Sequence, residues 1–114
     1  MNTHHAINYI EFSAPDLASI KEFYTAAFGW TFTDYGPDYI AFSDSSLDGG
    51  FAKGIPSENT GPLVILYSDD LEASVETVER CGGTIVQPTY PFPGGRRFHF
   101  ADPAGNKLAI WSDS

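Results

Sequence analysis

Positive charge is scarce in this 114-residue chain: six Lys and Arg stand against 15 Asp and Glu, a net charge of −9. Phosphate backbones are gripped by clustered Lys and Arg, so nucleic acid is not an expected partner, and neither is an anionic membrane surface. Only one cysteine is present, Cys81, which rules out an intramolecular disulfide and gives no sign of an oxidising compartment. No apolar stretch approaches the roughly 18–20 residues of a membrane span. Met1 to His5 carry neither the basic nor the apolar region of a secretion signal. A cytoplasmic location is the resulting expectation. Histidine is also sparse: His4, His5 and His99 are scattered, which is a weak signal for metal binding.

What the chain does have is apolar and aromatic side chains. Hydrophobic residues make up 42% and aromatics 15%, against 18% charged, and a disordered chain would reverse that balance. One domain is the expectation from length. The acidity reads first as solubility and second as attraction for a cationic ligand.

An internal repeat organises the sequence. Asp16-Leu17 is matched 54 residues later by Asp70-Leu71, and at that offset Glu22 meets Glu76, Gly29 meets Gly83 and Phe32 meets Val86. Ile10 and Phe12 likewise correspond to Val64 and Leu66, and Ala41-Phe42-Ser43-Asp44 resembles His99-Phe100-Ala101-Asp102 at an offset of 58. In the first half, the run Ile7 to Phe12 suits a strand and Pro15 breaks it. Asp16 is placed to cap a helix whose apolar stripe is Leu17, Ile20, Phe23, Tyr24, Ala27 and Phe28, with Gly29 just past its end. Strands are expected over Trp30 to Phe32, Tyr39 to Phe42 and Gly50 to Lys53. In the second half, a strand at Leu63 to Tyr67 precedes a helix capped by Asp69 or Asp70, with Leu71, Val75 and Val78 inward and Gly82-Gly83 at its end. Thr84 to Gln87, Arg97 to Phe100 and Lys107 to Trp111 complete the strands, and Asp102-Pro103-Ala104-Gly105-Asn106 is a turn. The pattern is a βαβββ unit used twice, over about 5–54 and 61–112.

Three ordered motifs then carry a resemblance. Asp16-Leu17, Phe23-Tyr24 and Phe28-Gly29-Trp30 resemble the first-helix signature of the glyoxalase/bleomycin-resistance/dioxygenase (vicinal oxygen chelate) superfamily. Asp70-Leu71 with Gly82-Gly83 resembles its second-helix signature, and Asp102 to Asn106 its C-terminal DPxGN turn. The resemblance implies an α+β fold in which two βαβββ modules form a partly open, cup-like barrel. It also implies a homodimer, often with modules from both chains building one site. It leaves the activity open between metal-dependent lyases, isomerases and dioxygenases and metal-free antibiotic-binding proteins.

In metal-dependent members the ligands are His, Glu or Gln on the first and last strand of each module. The corresponding positions here are Tyr9 (or Asn8 after a slip of one), Leu63, Ala109 and a residue near Phe51 to Lys53. None is a good ligand for a divalent cation, and Leu63 and Ala109 have no donor atom. No cofactor is therefore predicted. Ni, Zn, Mn or Fe would be the metal if the enzyme alternative held.

Alternation along strands puts Tyr9 and Glu11 on one face, and likewise Leu63 with Ile65 and Ala109 with Trp111. The expected ligand-binding set is Tyr9, Glu11, Leu63, Arg97, His99, Ala109 and Trp111, an apolar and aromatic cup for a small organic molecule, cationic if the net charge decides. The same side chains could instead fill a small barrel as core. Glu11, enclosed in such a cup, would have a raised pKa and is the one candidate general base, with Tyr9 beside it as a hydrogen-bond donor. Pro91 to Arg97 reads either as a mobile lid presenting Arg97 to an anion or as a structural turn. Asp44, Asp48 and the glycines after it read as a second loop, and Cys81 as core. A dimeric interaction module using exposed Trp30 and Tyr35 is the remaining alternative.

Overall fold

The computed structural model describes His4 and residues 7–55 and 63–114. His5 and the segment joining the two halves lie outside the described residues. Two copies of one plan follow. The elements are β1 (Tyr9–Ala14), α1 (Leu17–Phe28), β2 (Thr31–Asp34), β3 (Tyr39–Ser43), β4 (Asp48–Lys53), β5 (Val64–Tyr67), α2 (Leu71–Arg80), β6 (Thr84–Phe92), β7 (Gly95–Ala101) and β8 (Lys107–Ser112).

Both helices start and stop where their polar residues dictate. The Asp16 carboxylate accepts the N–H groups of Ala18 and Ser19, and the Asp70 carboxylate accepts that of Ala73. These bonds satisfy first-turn donors that have no partner inside the helix. Gly29, at φ 73°, ends α1 in the left-handed conformation, with its N–H on the Thr25 carbonyl and that of Trp30 on the Tyr24 carbonyl. Glu72 in the first turn of α2 and Arg80 in the last complement the helix dipole.

Each helix is followed by strands that assemble into a four-stranded mixed sheet, in the orders β1-β4-β3-β2 and β5-β8-β7-β6. β1 and β4 pair in parallel, as do β5 and β8, and the other pairings are antiparallel. The two sheets are not hydrogen-bonded to each other, so the barrel stays open, with β1, β2, β5 and β6 as edges.

One face of each sheet carries the core. Ile10, Phe12, Ile40, Phe42 and Phe51 of the first sheet alternate with residues of its other face, as do Val64, Leu66, Phe98, Phe100, Leu108 and Ile110 of the second. α1 bridges the two sets. Tyr24 lies 5.3 Å ring to ring from Phe51, while Phe23 and Phe28 lie 6.2 and 6.1 Å from Phe100. The two repeats therefore share a single apolar core.

A buried polar joint locks the same region. Asp102, at the DPxGN turn, accepts the backbone N–H groups of Ala104 and Asn106, the Asn106 side-chain amide and the Tyr24 hydroxyl. Asn106 also donates to the Ser13 carbonyl, 93 residues away. The motif that marks the family in the sequence thus ties the second repeat to α1 and β1.

Two expectations change, and one of two open readings gains support. Trp30 is 5% exposed, stacked between Tyr24 at 4.6 Å and Phe42 at 4.5 Å, and is core rather than an exposed interface residue. Tyr35 does remain exposed. The segment from Pro91 to Arg97 is the tip of a β-hairpin, with Phe92 paired to Gly95 across a two-residue turn, which fits the structural-turn reading. β6 tolerates Pro88 and Pro91 because it is an edge strand with two register shifts, where missing N–H donors cost little. Asp48 and Gly49 belong to β4 rather than to a loop, extending the strand expected from Gly50. Both glycines are buried, because a Cβ at Gly49 would stand 2.3 Å from the Ile10 carbonyl oxygen and a Cβ at Gly50 2.3 Å from the Tyr39 hydroxyl.

Candidate functional site

The faces turned away from the helices hold the residues expected in the site, except Leu63, in two groups. On the first sheet, β1 presents Tyr9 and Glu11, both exposed. β3 adds Tyr39, which the sequence reading missed. Its hydroxyl lies 2.5 Å from that of Tyr9 and donates to Glu11 Oε1 at 3.1 Å. Since Tyr39 gives its proton to the carboxylate, Tyr9 donates to Tyr39, and the three form a directed chain ending on Glu11.

Gly50 makes this chain possible. It pairs with Glu11 on one side and Ala41 on the other, and both phenol hydroxyls pass over its missing side chain. Partial burial and the hydrogen bonds to Tyr9 and Glu11 hold the Tyr39 phenol well above the usual tyrosine range. Glu11→Gln removes the anion that opposes ionisation. The Tyr39 pKa is then expected to move down toward 10.0, the ordinary tyrosine value, in a spectrophotometric titration. An unchanged titration would mean the Glu11 contact is not made in solution. The enclosure that a general-base role for Glu11 requires is absent around this exposed carboxylate in the single chain.

On the second sheet, strand pairing sets two rows across all four strands. Tyr90, Arg97, Trp111 and Tyr67 form one, and Gln87, His99, Ala109 and Ile65 the next. Arg97 Nε donates to the Tyr90 hydroxyl, and the guanidinium carbon lies 5.5 Å from the centre of the Tyr90 ring and 5.4 Å from that of Phe92. Tyr90 in turn meets His99 Nε2 at 2.9 Å. Trp111 contacts Tyr67 at 5.1 Å and Phe92 at 6.2 Å, ring to ring. Ala109, between His99 and Ile65 in its row, is fully covered and offers no surface of its own. Burial, then the Arg97 charge, pushes the His99 imidazole below the usual histidine range and keeps it neutral at pH 7.

Leu63 stands just before β5 and is exposed. Tyr9 and Glu11 form one group and Arg97, His99, Ala109 and Trp111 the other; no hydrogen bond, ion pair or ring contact joins the groups among the described residues. A separate cleft of about 280 Å³ opens beside the end of α1, lined by Phe28, Leu66, Ser68, Asp69, Ser74 and others. It lies off both groups apart from Tyr67.

The register moves the fourth position that the family resemblance implied from the segment Phe51 to Lys53 to Gly50. Glu11 faces Gly50 in β4 as Ile65 faces Ala109 in β8, so Gly50 corresponds to Ala109. The four positions are Tyr9, Gly50, Leu63 and Ala109, which do not make a divalent-metal donor set: three have no side-chain donor, and the fourth is a phenol already bonded to another phenol. Among the described residues, no three His, Cys, Asp or Glu side chains converge elsewhere to hold a metal ion. In the same residues no helix is long and apolar enough to cross a membrane.

Comparison with known proteins agrees with this fold. Residues 6–110 match the profile of the Glyoxalase/Bleomycin resistance protein/Dioxygenase superfamily. The chain is 32% identical over 124 aligned positions to the anthracycline biosynthesis protein DnrV of Streptomyces peucetius, and 28% identical over 116 to the putative glyoxylase CFP32 of Mycobacterium tuberculosis. These alignments take in 90% and 91% of the chain but only 45% and 44% of those proteins, so the chain spans about half their length. A fosfomycin resistance protein, FosX, of Listeria monocytogenes, crystallised as a mutant with Mn(II), superposes with a TM-score of 0.82 at 16% identity, over 96% of this chain and 90% of that one. A superfamily enzyme from Burkholderia phytofirmans superposes at 0.80 and 15% identity, over 94% and 98%. With the doubled βαβββ plan, its ordered motifs and a profile match over nearly the whole length, the chain belongs to the glyoxalase/bleomycin resistance protein/dioxygenase superfamily.

Proposed function

We propose that this chain is a metal-free member of the superfamily that binds a small organic molecule on the aromatic faces of its open sheets. One observation carries the reading. The four positions where metal-dependent members place ligands hold Tyr9, Gly50, Leu63 and Ala109, and the space between the first two is taken by the Tyr39 phenol. What surrounds them is aromatic surface with a few fixed polar groups, the composition of a small-molecule site. Relatives named for anthracycline biosynthesis are consistent with a ligand of that kind.

The site is completed by a second copy of the chain. β5 is an edge strand, and Leu63, Ile65 and Tyr67 on its open side are 39%, 43% and 54% exposed. Contiguous apolar surface beside an unpaired edge is what an interface covers.

The test is metal content of the purified protein, together with its melting temperature with and without Ni²⁺, Zn²⁺, Mn²⁺ and Fe²⁺. A metal at about 100 times its dissociation constant adds about 2.7 kcal/mol. That is a shift of at least about 10 °C for a domain this size. We expect no stoichiometric metal and no such shift. Either finding would overturn the metal-free reading, and sedimentation as a monomer at micromolar concentration would overturn the shared site.

A further inference from the structure

We infer that the open face of the second sheet selects a flat aromatic ligand carrying an anionic group, such as a carboxylate or phenolate, held by Arg97. The inference deepens the proposed function and rests on it, since it names the ligand class of that aromatic surface. It also reverses the sign that the net charge of −9 suggests.

Arg97 is the reason. The chain has six Lys and Arg, and this one sits half-buried in the middle of an aromatic face. Its neighbour Arg96 is committed elsewhere, to the Glu72 carboxylate at 2.5 Å and the Ser114 carbonyl at 3.0 Å. Among the described residues Arg97 has no carboxylate partner, its Nε bonds Tyr90, and its two terminal nitrogens have no acceptor. A guanidinium held by one bond and lying near two rings has lost much of its freedom, yet keeps a pair of terminal donors not engaged by the described residues. That geometry matches a carboxylate or another planar anion.

The neighbours fit the same ligand. Tyr90 accepts from Arg97 Nε and meets His99 Nε2, and the second ring nitrogen of His99 adds a polar group to the face. Trp111, cross-strand partner of Arg97 and half-exposed, provides a face or edge for a ring to stack against. No carboxylate belongs to either row. The Asp113 carboxylate accepts the Tyr67 hydroxyl at 2.9 Å at the far end of the row, two strands from Arg97, so a cationic ligand placed beside Arg97 would meet its charge directly.

The experiment uses three probes of one shape on the full chain: 2-naphthoate, 2-naphthylmethanol and 2-naphthylmethylammonium. Calorimetry gives the dissociation constants, and the indole N–H signals of the two tryptophans give the location. Trp111 is half-exposed and Trp30 is buried, so binding at this face moves the first and spares the second. The naphthoate is expected to bind about tenfold or more tighter than the ammonium probe, the size of one charge-assisted hydrogen bond. Arg97→Ala should abolish that preference and leave the alcohol nearly unchanged. Arg97→Lys keeps a cation without the fork and should retain only part of the preference. It decides the matter if the alanine variant does not fold.

A preference for the ammonium probe, or a naphthoate preference that survives both substitutions, overturns the assignment while leaving an aromatic-binding surface intact. Failure of all three probes to bind folded protein overturns the assignment and the proposed function together.

Discussion

Replacing Phe51 by alanine is expected to cost about 3–5 kcal/mol, the largest loss of any single substitution considered for this chain. Its side chain is fully buried, and its ring lies 5.0 Å from Phe12, 5.3 Å from Tyr24, 5.9 Å from Phe42 and 6.4 Å from Phe32. Those four rings come from β1, α1, β3 and β2, so the cavity would open where every element of the first repeat meets. Collapse of the surroundings is limited because Gly49 and Gly50, next to it in β4, already let neighbouring atoms approach closely. Domains of this size are stable by roughly 5–15 kcal/mol, so the variant should be marginal at room temperature. Denaturant unfolding by circular dichroism measures it. A loss under about 1 kcal/mol would show that the aromatic cluster is less tightly built than described. Phe92→Ala, at the half-buried tip of the β6–β7 hairpin, serves as the control and should cost much less.

The second large effect is expected at Asp102. Removing its carboxylate by Asp102→Ala strands four donors at once: two backbone N–H groups, the Asn106 amide and the Tyr24 hydroxyl. Buried donors without partners cost about 1–3 kcal/mol each when water cannot reach them. Partial hydration of the turn brings the total to about 3–4 kcal/mol, in the range seen when a buried polar network is broken. The melting temperature should fall by at least about 10 °C. A fall of only a few degrees would mean that the turn holds the two repeats together without its carboxylate.

Asp102 also gives a pH signature with a definite sign. Burial pushes its carboxyl above the ordinary value of 3.8, against the hydrogen bonds from Asn106, Tyr24 and Ala104, which pull it down. The folded pKa is therefore higher than the unfolded one, and the folded state binds the proton more tightly. The stability this group contributes is full below 3.8 and is lost as pH rises through the folded pKa. Asp102→Asn cannot titrate. The stability of the native protein relative to that variant should thus decline with rising pH across this window. An increase instead would mean that the hydrogen bonds outweigh the desolvation.

The sequence by itself determined the elements and their doubling. The Asp16 and Asp70 caps, the apolar stripe of α1 and the turn from Asp102 to Asn106 are local signals, because a cap or a turn is set by residues within a few positions of each other. The alternation of faces was equally readable, and it put Tyr9 with Glu11 and Ala109 with Trp111 on shared faces, as they stand in β1 and β8. Trp30 failed as an exposed aromatic because its burial depends on Tyr24 and Phe42, which reach it from other elements. The runs at Asp48 to Gly50 and Pro91 to Gly95 look like loops by composition. Strand pairing overrides that preference, in one case because close approach demands glycine and in the other because an edge strand spares proline its missing donor. Tyr39 joins Tyr9 and Glu11 from 28 residues or more away in sequence, and Tyr90 orders Arg97 and His99 across a strand pair. Which polar groups stand together, and so which chemistry a face can offer, depends on register between strands, and only the tertiary structure decided that.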